Sequence, residues 1–562
     1  MIRKYIFIIL LFGITKISIA QPFAEKLADV DSVMANWNKP ENAGGVIAII
    51  QDGNVIYKKA FGLANIKRKL PNTTRTAYDL ASNAKQFTAM CVALLEEQDK
   101  LSAEDDIRKF YPQFDFGKTV RIKNLLDHTS GIREAYVLSI LSGKVNLKGE
   151  LPKRYNTKSH LIAVLERERG LNFSPGDEMA YTNVNFILLG DIVEKVSGQS
   201  LRQFADSAIF KPLGMTHTFF RDKEKMMAPN EAVGYLYAKK IKPQTPFGGI
   251  VGDHNLVSTV DDLIRWDQNF YSNKLGNHDP LLIEKVCASS KLNSAEPTRY
   301  GYGLFTREYR GLQQVSHGGD NGQHTSFMVR FPQQKFSVIC LANSSRYSDT
   351  EGKTFKIADI FLRDYLRVSE NTYDQFKFIS VSKDELEKKT GTYTLIEKNG
   401  LGYFRKVMHK DGDLYVGFSY YDNGLKVSPV TSTYFVGKNL IGRIFHFHFS
   451  DSAGIITLKE QFMDRPPRIF RAMEKDLHPI FDDYRGVYFN ASTEATIKIK
   501  RKKGKITACK GIIRIPLIPF DKDIFYAIQN DALFTFKRNS YGKVNQLTIY
   551  AWDFRNFMMI KK

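Results

Sequence analysis

The spacing of apolar and polar positions changes character along the chain. Val46-Ile47-Ala48-Ile49-Ile50 is an unbroken apolar run, Asp52-Gly53 is a turn signal, and Val55-Ile56-Tyr57 opens a return strand. Residues 44–65 therefore predict a hairpin. From Ser82 onward Phe87, Met90, Cys91, Leu94 and Leu95 recur at helical spacing. Ser102 with Asp105 has the form of a capping box opening the next helix. Helix and loop alternate to about residue 275. Strands return at residues 313–317, 326–331 and 336–343, and residues 355–366 read as a closing helix. Strands come first and last with helices between them. That order predicts one antiparallel sheet assembled from both ends and covered by helices, a domain over residues 21–372.

Beyond about residue 378 the helical period disappears, and aromatic-rich strands separated by glycine turns take over. Gly391-Thr392-Tyr393 is echoed by Gly486-Val487-Tyr488. Ile444-Phe445-His446-Phe447-His448-Phe449 is echoed by Ala532-Leu533-Phe534-Thr535-Phe536. A polar turn ending in glycine, Gly454 or Gly542, follows each of the latter pair, and the offset is about 90 residues. The repeat predicts two small antiparallel β-barrels of one plan, at residues 378–475 and 476–562, with two halves of a larger barrel as the alternative. The fold class is thus α+β: an antiparallel sheet flanked by helices, followed by two small all-β barrel domains.

Arg3 and Lys4 precede an apolar stretch at residues 5–14, and Ser18-Ile19-Ala20 offers small residues where a signal peptidase cuts. Residues 1–20 predict a secretory signal cleaved after Ala20. The apolar run is well short of the roughly 20 residues a spanning helix needs. The expected location is periplasmic or extracellular, with no stable membrane span. The 562 residues are 43% hydrophobic and 25% charged, the composition of an ordinary globular chain. Only one long apolar run is present, which excludes a polytopic membrane protein. The net charge of +21 fits a well-solvated basic surface as well as acidic partners such as cell-wall polymers, anionic lipid or nucleic acid. The densest basic run, residues 498–505, reads as an exposed strand entering a turn, and export argues against a nucleic-acid partner. Cys91, Cys287, Cys340 and Cys509 are too scattered for a disulfide scaffold or a metal site and read as buried free thiols.

Ser82-Asn83-Ala84-Lys85 places a hydroxyl and an amine at i and i+3, on one face of a predicted helix. A serine hydroxyl is a poor nucleophile without a nearby base, and a lysine amine serves when burial or neighbours make it available. Taken alone the pair also fits an N-cap serine and a solvated lysine. About 100 residues on, Phe173-Ser174-Pro175-Gly176 leads to Tyr181-Thr182-Asn183 just before an apolar helix. A tyrosine there is suited to relaying the serine proton, and the Asn183 amide to orienting Lys85 and a substrate carbonyl. The plain alternative for Tyr181 is a turn residue capping a core. Further on, His317-Gly318-Gly319 ends the first of the late strands. The glycines permit close backbone approach, and the N–H of Asp320 is a candidate partner for that of Ser82 in an oxyanion hole. His317 otherwise reads as an exposed strand-end histidine.

Three such elements in this order resemble the penicillin-recognising serine hydrolases. The branch they look most like is the class C β-lactamase-like one, which includes D-aminopeptidases, D,D-carboxypeptidases and esterases. Lys85-Gln86-Phe87-Thr88-Ala89, residues 125–131 (Leu-Leu-Asp-His-Thr-Ser-Gly) and Tyr300-Gly301-Tyr302-Gly303 fit the same family, and the resemblance spans about residues 40–345. It implies an acyl-enzyme on Ser82, with Lys85 and Tyr181 sharing the proton work, Asn183, His317, Gly318, Gly319 and Asp320 about the substrate, and no cofactor or metal. In many β-lactamases and carboxypeptidases the third element is Lys-Thr-Gly. Here its lysine position carries His317, and a neutral imidazole attracts a carboxylate far less than an ammonium does. The implied substrates are therefore small esters, amides or D-amino-acid peptides. The alternatives are a weak β-lactamase or D-Ala-D-Ala carboxypeptidase, or a non-catalytic peptidoglycan-binding protein of the cell envelope. The trailing barrels resemble the layout of D-aminopeptidases.

Three features carry less chemistry. His128 reads as a turn or core hydrogen-bonding residue in preference to a triad histidine. His446 and His448 face one side of a strand but have no evident third metal ligand. The barrel aromatics read as core in preference to a carbohydrate platform.

Overall fold

The computed structural model describes residues 23–39, 41–143, 157–223, 226–237, 241–243, 249–344, 348–367, 373–395, 404–417, 424–438, 444–462, 467–472, 481–502, 505–511, 513–527, 532–551 and 554–562. The predicted signal at 1–20, and residues 503 and 504 of the basic run, lie outside them. The chain forms two compact units. One holds the described residues up to Asp105 together with Leu125–Asp127 and Phe186–Val368; the other holds Asp106–Asn124, His128–Asn185 and Ser369–Lys562.

The first unit is built on a seven-stranded antiparallel sheet. Its order is Tyr300–Gly301, Leu304–Tyr309, Leu312–Asp320, Thr325–Phe331, Phe336–Ala342, Gly45–Gln51 and Asn54–Phe61. The N-terminal hairpin thus joins the late strands, with Gly45 opposite Ala342 and Gln51 opposite Phe336. Asp52 and Gly53 turn the hairpin with φ of 50° and 77°, the positive values a two-residue turn needs to match strand twist. Gly45–Gln51 and Phe336–Ala342 are covered on both faces, which accounts for apolar runs where a half-exposed strand would alternate. Residues 23–34 and the helix Thr350–Phe361 cover one face through Val30, Met34, Phe355, Ile357 and Phe361, which pack against Ile47, Ile49, Val338 and Cys340. The helix Ala84–Glu97 is buried from Ala84 to Leu95, and its Phe87 stacks on Trp266 with ring centroids 4.3 Å apart.

The structure corrects several boundaries. Ser102 N donates to the Asp105 carboxylate at 3.0 Å and Asp105 N to Ser102 O at 2.9 Å, a turn that opens no helix. The strands Tyr300–Gly301 and Leu304–Tyr309 precede the one expected as the first of the late group. That expected strand runs on to Asp320, because His317, Gly318 and Gly319 all pair with Thr325–Phe331. The closing helix starts at Thr350, where the Asp349 side chain accepts from Gly352 N.

In the second unit, eight strands from Gly391–Leu395 to Arg468–Ala472 close one antiparallel barrel, and eight from Gly486–Phe489 to Phe554–Lys561 close another. The sequence repeat therefore marks two barrels and not two halves of one. Tyr393 and Tyr488 sit in the first strand of each, and each donates its hydroxyl to the carbonyl four residues earlier, Lys389 O at 2.8 Å and Tyr484 O at 2.9 Å. The echoed aromatic runs lie in Ile444–Ser452 and Ala532–Arg538, the sixth strand of each barrel. Phe447 and Phe449 point inward with Tyr393, Phe435 and Phe470 to fill the first barrel, so these aromatics are core. His446 and His448 face out against Tyr434. Its hydroxyl meets His446 Nδ1 at 2.7 Å, and its ring stacks on His448 at 4.2 Å. All four cysteines are unpaired, with Cys91, Cys340 and Cys509 buried and Cys287 half-buried.

Candidate active site

In the sheet unit the strand Ala77–Asp79 leads into a tight 3-10 turn, Ala81–Asn83, that delivers Ser82 to the start of the helix Ala84–Glu97. Ala81 takes a φ of 49°. Such a conformation costs a non-glycine residue about 1–3 kcal/mol and persists only where its surroundings hold it. The Asp79 carboxylate does so, accepting from Ala81 N at 2.8 Å. Asp79 is in turn gripped by the buried Arg221 at 3.2 Å, whose other arm reaches Glu231. Asn83 and Gln86 are tied down as well, Asn83 to Ser326 Oγ at 2.6 Å and Gln86 to Trp266 Nε1 at 2.7 Å.

One helical turn on, Lys85 Nζ lies 3.0 Å from Ser82 Oγ and 2.9 Å from the carbonyl of Asp253. The lysine is fully buried, with the Phe186 ring 5.8 Å from its ammonium, while Ser82 retains partial exposure. An amine held by a carbonyl on one side and directed at a hydroxyl on the other is placed to exchange a proton with that hydroxyl. A deprotonated amine in this position can accept the Ser82 proton while still donating to Asp253 O. The neighbouring His254 bonds the Asp253 carboxylate through Nδ1 at 2.7 Å. Burial opposes charge on this imidazole, but the carboxylate outweighs it and holds the histidine above its ordinary pKa.

The strand Leu312–Asp320 passes directly beside the Ser82 turn. A Cβ on Gly319 would stand 2.1 Å from Leu80 O and 2.9 Å from Ser82 N, so only glycine fits. Asp320 is exposed, and its carboxylate caps Gly322 N at 2.7 Å. His317 is buried, contrary to its reading as an exposed strand-end residue, because the strand continues past it. Its Nδ1 lies 2.6 Å from Gly318 O and its Nε2 3.2 Å from the Tyr300 hydroxyl. A carbonyl only accepts, so Nδ1 carries the proton and Nε2 accepts from Tyr300. Burial, reinforced by the charge of Lys85, pushes the His317 pKa down to about 3. His317 is thus neutral over the physiological range.

The second unit places Tyr181 and Asn183. Asn183 opens the helix Asn183–Ser197, and its N–H donates to Glu134 Oε2 at 2.9 Å. The same carboxylate oxygen accepts from Thr182 Oγ1 at 3.0 Å. The Tyr181 ring lies over His128 with centroids 4.2 Å apart. His128 is buried and Nδ1 faces two donors, Thr182 N at 3.3 Å and Asn185 Nδ2 at 3.2 Å. It therefore works as the hydrogen-bonding residue the sequence favoured. The sheet unit thus gathers Ser82, Lys85, His317, Gly318 and Gly319, and the second unit holds Tyr181 and Asn183. Asp253, Ser326 and Glu134 escaped the sequence reading. Asp253 contributes a main-chain carbonyl, which no residue type announces.

A family model described as Beta-lactamase matches residues 30–360. More than half of the chain is covered, and the protein belongs to that family. Penicillin-binding protein 4* of Bacillus subtilis is 29% identical over 344 residues, 57% of this chain and 72% of the relative. A D-aminopeptidase of Gluconobacter oxydans is 27% identical over 319 residues, 56% of this chain but only 58% of that protein. Among solved structures, an octameric penicillin-binding protein homologue from Pyrococcus abyssi aligns at TM-score 0.55 and 27% identity. It covers 80% of this chain and 99% of that one, a share larger than residues 30–360 alone.

Proposed function

We propose that this protein is a secreted serine hydrolase that forms an acyl-enzyme on small esters, amides or D-amino-acid peptides. The observation that carries this is the contact of a fully buried lysine amine with a partly exposed serine hydroxyl, Lys85 Nζ to Ser82 Oγ at 3.0 Å. In this reading Lys85 first gives up its proton to solvent, and Ser82 Oγ attacks the substrate carbonyl carbon as the hydroxyl proton passes to the freed amine. Tyr181 shares the proton work, delivering a proton to the departing alcohol or amine. Water then adds to the acyl carbon, giving up a proton to the same groups, and the bond to Ser82 Oγ breaks as Oγ takes that proton back, releasing the acid. The glycine-lined strand end is the candidate cradle for the oxyanion, with the backbone N–H groups of Ser82 and Asp320 as its donors.

His317 supports the choice of substrate class. A neutral imidazole whose two nitrogens are engaged offers a substrate carboxylate no ammonium. That favours esters, amides and free-amino D-peptides over penicillins and D-Ala-D-Ala termini. A relative named D-aminopeptidase agrees with this class. The test compares wild type with Ser82→Ala on a serine-directed phosphonate probe. It adds a panel of short p-nitrophenyl esters, D-alanine anilide, a chromogenic cephalosporin and a D-Ala-D-Ala peptide. Labelling of wild type alone is expected, with turnover of the esters and the anilide. Equal labelling of both proteins defeats the reading.

A further inference from the structure

We propose that the second barrel is a clasp that sets the geometry of the turn carrying Tyr181 and Asn183, with Arg133 and Arg555 as positioning residues. The proposal rests on the reading of Tyr181 as part of the catalytic machinery. All of its contacts lie within the second compact unit.

The turn is one side of a paired loop. Asn172 N donates to Gly131 O at 2.6 Å, Gly176 N to Thr129 O at 2.9 Å and Ala180 N to His128 O at 3.0 Å, so residues 128–131 and 172–180 run side by side. The barrel's last strand, Phe554–Lys561, grips both sides. Arg555 N donates to Asn172 Oδ1 at 2.6 Å, and Arg555 Nη1 to Glu178 Oε2 at 2.6 Å. From the other side of the loop, Arg133 Nε reaches Arg555 O at 2.8 Å. Its Nη2 reaches Asn556 O at 3.2 Å and Leu171 O at 3.1 Å, and its Nη1 reaches Glu168 at 2.9 Å. Asn556 Nδ2 adds a bond to Asn172 O at 3.3 Å. The grip is close to the chemistry along the chain. Glu178 is three residues from Tyr181. Arg133 is adjacent to Glu134, whose carboxylate caps Thr182 and Asn183.

Burial makes this contact more than a tether. Arg133, Glu168, Asn172 and Arg555 are each no more than 4% exposed. Two guanidinium groups taken out of water are tolerated only where nearly every donor meets an acceptor in one arrangement. The local sequence is shaped to allow it, since a Cβ on Gly170 would stand 2.8 Å from Arg133 Nη1. A barrel held only as an appended module has no need of such an arrangement. A loop whose two sides are both bonded to one barrel strand is held in one position by it.

The experiment uses the full chain, with Arg555→Met, Arg555→Lys and the double variant Arg133→Met/Glu168→Gln. The double variant removes the buried pair without stranding the carboxylate. Steady-state kinetics on a p-nitrophenyl ester are measured well below each variant's Tm, with hydrogen exchange of the amides at residues 172–183. Displacements near 1 Å cost on the order of 100-fold in rate. Arg555→Met and the double variant are accordingly expected to lower kcat by about that factor with KM little changed. Exchange at Gly176, Ala180 and Asn183 is expected to quicken about tenfold or more, and Arg555→Lys, which keeps the Glu178 pair, to recover much of the loss. Unchanged exchange and unchanged kcat in the double variant overturn the clasp, whatever its Tm; so does a lowered Tm with both readouts at wild-type values. Tyr181→Phe separates the two readings. Wild-type kcat in that variant removes the catalytic assignment of Tyr181, and the exchange measurement still decides the clasp.

Discussion

His317 illustrates how a residue's surroundings decide its chemistry. Its place before two glycines suggested a strand terminus open to solvent, and the continuing ladder to Asp320 buries it. The consequence is measurable. In the unfolded chain a histidine titrates near its ordinary pKa of roughly 6.5, whereas in the fold burial and the Lys85 charge hold it down at about 3. The unfolded state therefore binds more protons as the pH falls below about 6.5. The stability linked to His317 is fully present above that pH and is lost as the pH falls toward about 3. Between pH 7 and pH 5 the linkage amounts to about 2 kcal/mol. Urea unfolding followed by tryptophan fluorescence at the two pH values should show a loss of that size in wild type beyond that in His317→Gln. Parallel losses in both proteins would refute the assignment. The Ser82–Lys85 pair is the opposite case, a contact of 3.0 Å that i, i+3 spacing allowed and the later motifs singled out from an N-cap serine with a solvated lysine.

Among elements, the barrels show how alternation and charge divide the work. Along Ile444–Ser452 the inward positions Phe447 and Phe449 fill the interior, while His446 and His448 stack outside on Tyr434. One buried ion pair departs from that division. Arg405 bonds Glu460 twice, at 2.5 and 2.7 Å, with its guanidinium 4.7 Å from the Phe470 ring, and both side chains are buried. Removing one partner leaves an uncompensated charge in a low-dielectric site. Arg405→Met should therefore destabilise the first barrel by about 3–5 kcal/mol, while replacing both partners by apolar residues of similar volume should cost far less. Thermal unfolding of the two variants checks this. Element boundaries were less legible than element types. The Ser102–Asp105 pair satisfies a turn as readily as a helix start, because the same local bond serves both.

For the whole molecule, the segment order that sends strands from both ends into one sheet is confirmed by the pairing of Gly45–Gln51 with Phe336–Ala342. Export is proposed from Arg3, Lys4, the apolar run and Ala20. N-terminal sequencing of the protein secreted by an expressing bacterium should read from Gln21, and an intact Met1 would remove the proposal. Periodicity was enough to determine the sheet-and-helix order and the repeat that became two barrels, and i, i+3 spacing joined to the later motifs pointed to the pairing of Ser82 with Lys85. Each of these is written in residues close along the chain, or in a period that the backbone geometry of helix and strand imposes. Contacts made by main-chain atoms, or by residues hundreds of positions apart, leave no such trace. The carbonyl of Asp253 that holds Lys85, the burial that neutralises His317 and the reach of Arg133 to Arg555 were decided only by tertiary structure. Their energies depend on what is excluded from water, and the fold alone determines that.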